Sequence, residues 1–525
     1  MNRDESLKRI RASTDPWDVL VIGGGATGLG TAVDAAARGY RTLLVEQSDF
    51  AKATSSRSTK LIHGGIRYLR HGDFHLVRES LQERQRLLQN ASHLVRPLPF
   101  LVPSYAWWQG PYYAAGLKLY DVLAGRFGIQ NSRRVSRDQV LKDLPTLQSR
   151  GLRGGIRYFD GQFDDARLAV CLARTLDELG GVPVNYFRVE SLLRSGGRVH
   201  GVAARDLENS QGHEIPARVV INATGVFADA IRRMDSPEAA GMLTASQGAH
   251  LVLDRSFLPG DCALMIPQTD DGRILFAIPW HGRTLVGTTE TSAPRLLLEP
   301  RPLRAEIDFL LSHAGRYLDR KPAESDILSA FAGLRPLVSA RAGKNTAGLS
   351  RSHTLLISDS GLVTITGGKW TTYRKMAEDT VDAAARAAGL PARPSPTKDL
   401  PLHGWSAEGS SNVPPGLETY GTDAKPLLAL IRENPEWEKP IHSRLPGSVG
   451  EWVWSVRQEM ARSVEDVLAR RTRALLLDAR AAVECAPAVA RLMAAELGRD
   501  ERWQKEQVAG FRALAEGHLP QGCVP

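Results

Sequence analysis

Cysteine is scarce in this chain: Cys171, Cys262, Cys485 and Cys523 are the four among 525 residues, and no two lie at the short spacing of a zinc site or a dithiol redox pair. So few scattered thiols suit a reduced, cytoplasmic setting rather than a disulfide framework. Long apolar runs are missing as well. Nowhere does the chain approach the roughly 18 consecutive apolar residues of a membrane-crossing helix, so any membrane contact is expected to be peripheral. The opening MNRDESLKRIRASTDPW mixes acids with bases and has no apolar stretch, which is not the pattern of a secretory signal. Acids are the minority charge, 58 against 67 bases, for a formal net charge of +9. That excess suits an anionic substrate, an anionic membrane face or nucleic acid without choosing among them. With 42% hydrophobic and 24% charged residues the composition is neither that of a disordered chain nor that of a membrane-embedded one, and the length allows two or three domains.

What is present begins at Asp18. DVLVI, residues 18–22, is the short apolar run of a buried parallel strand, and it leads straight into GGGATG. Gly23, Gly25 and Gly28 fit GxGxxG: the first allows a tight turn, the second lets backbone amides approach a pyrophosphate, and the third brings helix and strand close together. Residues 26–37 are the expected helix, its N-terminus facing the anion. TLLV, residues 42–45, is the next strand and ends at Glu46, eighteen residues beyond Gly28. An acid there accepts from ribose hydroxyls and repels a 2′-phosphate, so the ligand is FAD or NAD rather than NADP.

Two later segments favour the flavin. RVVINA (218–223) is a strand running into Thr224 and Gly225, where a glycine lets backbone come near a cofactor. LVTIT (362–366) followed by GGKWTTYRKMAE is again strand, glycine turn and helix, and that helix N-terminus would face the electron-rich edge of a reduced isoalloxazine. The expected fold is α/β: a Rossmann-like FAD-binding domain assembled from 1–90, 150–245 and 330–390, with 91–149 and 246–329 as an antiparallel substrate or cap domain. In the latter, 274–280 and 284–289 flank a turn at His281, Gly282 and Arg283. The proline-rich stretch 391–416 is the expected linker, and 417–525 a helical C-terminal domain. There Trp452, Val453, Val456, Met460, Val464, Val467 and Leu468 follow the spacing of one amphipathic helix. Arg457, Arg462, Arg470, Arg471 and Arg473, interspersed with Glu459, Glu465 and Asp466, suggest a solvated face with intrahelical pairs, not a nucleic-acid surface.

Taken in order, DVLVIGGGATGLG, TSSRSTKLIHGGIRYL, FDDARL, NATGVFAD, IPWHGRTLVGTTE, GLRPL, TGGKWTTYRKMAE and EMARSVEDVLARRTRALLLD resemble the FAD-dependent glycerol-3-phosphate dehydrogenases along almost the whole chain. The resemblance implies oxidation of glycerol 3-phosphate to dihydroxyacetone phosphate, with hydride transfer from C2 to FAD. It puts phosphate anchors at Arg67, Arg335 and Arg351, with Tyr68 as a neutral donor, and makes Lys369 a cation beside flavin or substrate. His63 and His250 are the candidate bases, imidazole titrating near neutrality. Ser55, Ser56, Ser58, His63, Gly64 and Gly65, with Gly368, Thr371 and Thr372, are expected around the cofactor. Onward transfer to a membrane quinone is implied too, placing the protein peripherally on the inner, anionic face of the cytoplasmic membrane and leaving a homodimer open. LVPSYAWWQGPYYAAGLKLYDVL (101–123), which sets Trp107, Trp108, Tyr112, Tyr113 and Tyr120 beside Lys118, suits such an interfacial patch. An oxidase using oxygen, and a flavin-binding sensor without catalysis, are the competing readings.

Overall fold

The computed structural model describes residues 1–65, 73–338, 353–409 and 413–524. Two sheets organise them. The first has eight strands, six of them in the order His353–Ile357, Val363–Gly367, Gly212–Asn222, Trp17–Ile22, Thr42–Val45 and Val182–Val184, with Phe187–Ser195 and Arg198–Asp206 continuing as a meander from Gly212–Asn222. Trp17–Ile22 lies parallel to both Gly212–Asn222 and Thr42–Val45, in register Ile22↔Asn222 and Ile22↔Val45. Its near-continuous burial follows from cover on both faces. On one side the helices Ala26–Ala37, Asp165–Glu178 and Tyr373–Ala387 bury Leu29, Val33, Leu172 and Val381 against Val19 and Val21. On the other, the meander and the helix Arg3–Ala12 cover Leu20, Ile22 and Leu43 with Leu7, Phe187 and Val202.

The second sheet has ten strands and is largely antiparallel, built on Val95–Ser104, Gly154–Phe163, Leu243–Asp254, Ala263–Ile266, Leu275–Trp280, Arg283–Gly287 and Ile327–Val338. The expected hairpin is there, its turn tightened to His281 and Gly282, both at positive φ (44° and 69°), the backbone a two-residue hairpin turn requires. Gly154–Phe163 and Ile327–Val338, expected in the FAD-binding domain, join this sheet instead. Each pairs along its length with a strand of the insert, Val95–Ser104 and Leu243–Asp254 respectively.

The segment 391–409 is packed rather than loose: Leu402 is buried, its amide donates to the Asn90 carbonyl, and Trp405 Nε1 donates to the Gln89 carbonyl. Beyond it, helices Val449–Gln458, Ala479–Leu497 and Glu501–Glu516 share one core with the antiparallel sheet, Trp452, Leu468, Leu475 and Val489 meeting Val252, Ile278 and Phe331. The single amphipathic helix expected through Leu468 is two pieces. The first ends at Gln458, Met460 turns the chain at φ 57°, and a π-helical segment Asp466–Arg471 follows. Of its basic face only Arg457 is exposed as expected: Arg462 is half-buried, and Arg470, Arg471 and Arg473 are all buried. Among the described residues no helix is long and apolar enough to cross a membrane.

Candidate active site

The carboxyl ends of the parallel strands open on a cavity of about 340 Å³, the position where α/β sheets bind ligands. Gly23, Gly25, Ala26 and Thr27 form one wall, Glu46 and residues 51–55 a second, and Thr224, Gly225 and Val226 a third. Gly367, Gly368, Lys369 and Trp370 close the far end beside Pro336 of the antiparallel sheet.

Local chemistry explains why these residues make the wall. Gly23 adopts φ 114° with a would-be Cβ 2.7 Å from the Ala223 carbonyl oxygen, so no side chain fits the turn. Gly28, outside the lining, holds helix to strand: its Cβ would come within 1.9 Å of the Gly23 oxygen. The Ala26–Ala37 helix starts at Gly25 with no side-chain cap from that residue, while Ser55 Oγ accepts from Ala26 N at 2.9 Å. Of its remaining first-turn amides, which have no partner within the helix, that of Thr27 belongs to the cavity wall, as an anion site requires. Glu46 Oε2 accepts from Gly24 N at 2.6 Å and Oε1 from Ser48 N at 2.8 Å. Burial pushes this carboxyl up against the pull of those two amides. Ser55 also gives its carbonyl to Trp370 Nε1 at 2.9 Å, tying the first glycine segment to the last. An open cradle at Gly225, whose Cβ would meet nothing within 4 Å, completes a lining that fits a dinucleotide.

Not every expected residue reaches the cavity. Ser58 donates from N and Oγ to Asp165 Oδ2 (3.0 and 2.7 Å), and Ser56 is buried behind the lining. Gly64 donates to Asp160 Oδ1 at 3.1 Å, and the His63 carbonyl accepts from Thr371 Oγ1 at 3.4 Å. Gly65 turns the chain at φ 81°. Thr224 and Thr372 hydroxyls bond locally, to Asn222 Oδ1 and to the Lys369 carbonyl. Lys369 Nζ donates to Ser80 Oγ at 2.5 Å. The Arg335 guanidinium bonds Thr288 Oγ1 at 2.9 Å and the Thr289 carbonyl at 3.1 Å. His250 is buried off the lining, stacked on Phe331 with Nε2 2.9 Å from Thr59 Oγ1. Burial, then the Lys60 and Arg335 cations, hold its pKa well below the ordinary imidazole value, so it stays neutral and is a poor proton acceptor as placed. Arg67, Tyr68 and Arg351 lie outside the described residues.

Sequence reasoning missed Lys52 and Trp370 in the lining, and the buried cation Lys60 behind it. Burial pulls the Lys60 ammonium down to about 7 despite its 2.7 Å pair with Asp165. The FDDARL motif, which supplies Asp165, was the available signal.

Residues 18–374 match the model of the family described as FAD dependent oxidoreductase, and residues 395–506 that of the C-terminal domain of alpha-glycerophosphate oxidase. The chain is similar to the human mitochondrial glycerol-3-phosphate dehydrogenase, 40% identical over 97% of this chain and 74% of that protein. It is 38% identical to the mitochondrial glycerol-3-phosphate dehydrogenase of Arabidopsis thaliana, over 98% of this chain and 88% of that one. Among solved structures, the glycerol-3-phosphate dehydrogenase of Bacillus halodurans complexed with FAD shares the fold with a TM-score of 0.80 at 30% identity, over 99% of this chain and 98% of that one. With a family match across most of its length and a cavity built for a dinucleotide, the chain belongs to the FAD-dependent oxidoreductases, as a member of their glycerol-3-phosphate dehydrogenase family.

Proposed function

We propose that the protein oxidises sn-glycerol 3-phosphate at C2 to dihydroxyacetone phosphate and passes the electrons to a membrane quinone. The observation that carries this reading is the far end of the cavity, where Gly368, Lys369 and Trp370 of one sheet meet Pro336 of the other, next in sequence to Arg335. Cation-bearing segments of both sheets converge there, which suits a small phosphate dianion held at a domain interface. FAD, when bound, supplies the acceptor for the C2 hydride.

The chain's own groups supply the rest. Thr288 and Thr289 hold the Arg335 guanidinium in one orientation, so its planar fork is set before the substrate arrives. Arg67, Tyr68 and Arg351 are the proposed remaining anchors. Of the two candidate bases we place the proton acceptor at His63, because His250 is buried beside Lys60 and Arg335, which disfavour its protonation.

The quinone reading draws on the helix Gln109–Ala124 and the turn before it. Trp107 is 76% exposed, Tyr112 59% and Val122 75%, an apolar and aromatic surface suited to a lipid interface. The oxidase reading draws on the C-terminal family match. After reduction by glycerol 3-phosphate under nitrogen, reoxidation by a short-chain quinone faster than by dissolved oxygen supports the dehydrogenase; the reverse order supports the oxidase. Co-flotation with anionic vesicles, lost in Trp107→Ser/Tyr112→Ser, tests the membrane contact; flotation unchanged by the pair removes this surface from it.

A further inference from the structure

The stretch after Met460 puts three arginines into the protein interior within four residues: Arg470, Arg471 and Arg473 are each 2% exposed. They grip both ends of one loop. Asp49, at its start, accepts from Arg470 Nε at 2.5 Å and from Arg471 Nη1 and Nη2 at 2.6 and 2.8 Å. Ser56, at its end, gives its carbonyl to Lys60 Nζ at 2.8 Å and to Arg473 Nη2 at 3.1 Å. Asp165 stands between those two cations, 2.7 Å from Lys60 Nζ and 2.8 Å from Arg473 Nη2. Residues 51–55, between the anchors, line the dinucleotide cavity, and Lys52 among them is paired with Glu465 of the same C-terminal segment. Ser55 then passes the placement on, since its hydroxyl accepts from Ala26 N at the start of the glycine-turn helix.

Stability alone does not account for this arrangement, because well-packed apolar side chains of similar volume do as well as or better than buried ion pairs. A network of guanidinium forks does fix geometry, each fork admitting few arrangements of its acceptors. Backbone cost accompanies it: Arg473 takes φ 63°, left-handed for a non-glycine residue, one residue after Thr472 caps the π-helical segment Asp466–Arg471.

We infer that Arg470, Arg471 and Arg473 are positioning residues of the FAD site, through which the C-terminal domain holds residues 51–55 in the shape that retains the dinucleotide. Coupling of this kind is reciprocal, so FAD also stabilises the seating of the C-terminal domain. The inference rests on FAD dependence and not on which alcohol is oxidised.

The test is FAD release from the purified holoenzyme, followed by flavin fluorescence on dilution, with the thermal midpoint of each variant recorded alongside. Arg473→Met leaves Asp165 still paired with Lys60, and Asp164, which loses its 3.5 Å pair with Arg473, still bonded to His281 Nε2 and the Arg167 amide, so each buried carboxylate keeps a partner. Arg174→Met is the control: Arg174 pairs with Asp423 and so also ties the C-terminal domain to the helix Asp165–Glu178, away from the loop. Both substitutions are expected to lower the thermal midpoint, and only Arg473→Met to speed FAD release, by about tenfold, within the range that site-to-site coupling spans. Arg473→Lys, which keeps the charge and loses the fork, is expected to fall between the two. Release within about twofold of the unaltered enzyme in both Arg473 variants overturns the inference, as does equal acceleration in Arg473→Met and Arg174→Met. Should Arg473→Met fail to fold, Arg473→Lys decides against Arg174→Met by the same criterion.

Discussion

Glu46 meets two demands with one carboxylate: it accepts from the Gly24 and Ser48 amides, and it lines the cavity with acceptor capacity left over. Replacing it by arginine removes the acceptors and puts a bulky cation beside the helix N-terminus. Glu46→Arg is expected to weaken FAD retention by at least about tenfold, the loss of a charge-assisted hydrogen bond being worth about 1.5–3 kcal/mol; flavin content after gel filtration checks it, and undiminished flavin removes the ribose role. Arg335→Met is expected to raise KM roughly 100-fold with bound FAD intact, since removing one side of a buried charge pair costs about 2–5 kcal/mol. Unchanged steady-state kinetics would take Arg335 out of the anchor. Glu46 was legible from spacing because its ligand, strand and glycine turn are all local. Ser58 was not, because Asp165, which its hydroxyl bonds, lies 107 residues away.

The glycine-turn helix is the element with least room for change. A Cβ at Gly28 would sit 1.9 Å from the Gly23 carbonyl oxygen, and that oxygen belongs to the turn that shapes the cavity. Gly28→Ala is therefore expected to cost about 1–3 kcal/mol, the range for overpacking, and to lower FAD content together with the thermal midpoint. A midpoint equal to the unaltered protein's would mean that helix and strand separate without penalty. Strands and helices of the parallel sheet were legible because burial on both faces leaves nearly unbroken apolar runs. The helix through Leu468 misled for a physical reason: Trp452, before the break, and Val464, Val467 and Leu468, after it, all face one core, so the periodicity runs on through the interruption. The sign of a new start was Asp466, whose Oδ2 accepts from Arg462 N and Ser463 N.

Across the whole molecule, buried charge sets the response to pH. His93 and His518 are pulled down to about 4 mainly by burial, and His250 lower than the ordinary imidazole value for the same reason. Each histidine therefore contributes stability that is complete above its unfolded value near 6.5 and is lost as the pH falls towards its folded one, about 3 kcal/mol apiece for His93 and His518. Below about pH 4 the carboxyls follow. Burial alone would raise Asp49 and Glu299, yet Arg471 and Arg470 depress the first, and Arg57 and Lys52 hold the second at about 2. Lys60, charged at a cost below about 7, adds a rise in stability as the pH climbs from there towards 10.5. The thermal midpoint should thus fall from about pH 6.5 downward at fixed ionic strength; a midpoint flat to pH 5 would contradict the burial of these groups. None of this was legible beforehand, because partners such as Asp49 and Arg470 are separated by 421 residues and a run of alternating charge reads as a solvated face.

The reading of the whole molecule as a glycerol-3-phosphate dehydrogenase meets its most direct test in a single anaerobic mixing of the flavin-loaded protein with glycerol 3-phosphate, followed by visible absorbance. The account predicts rapid bleaching of the oxidised flavin with dihydroxyacetone phosphate formed in equal amount. A flavin that keeps its colour at saturating substrate would contradict it.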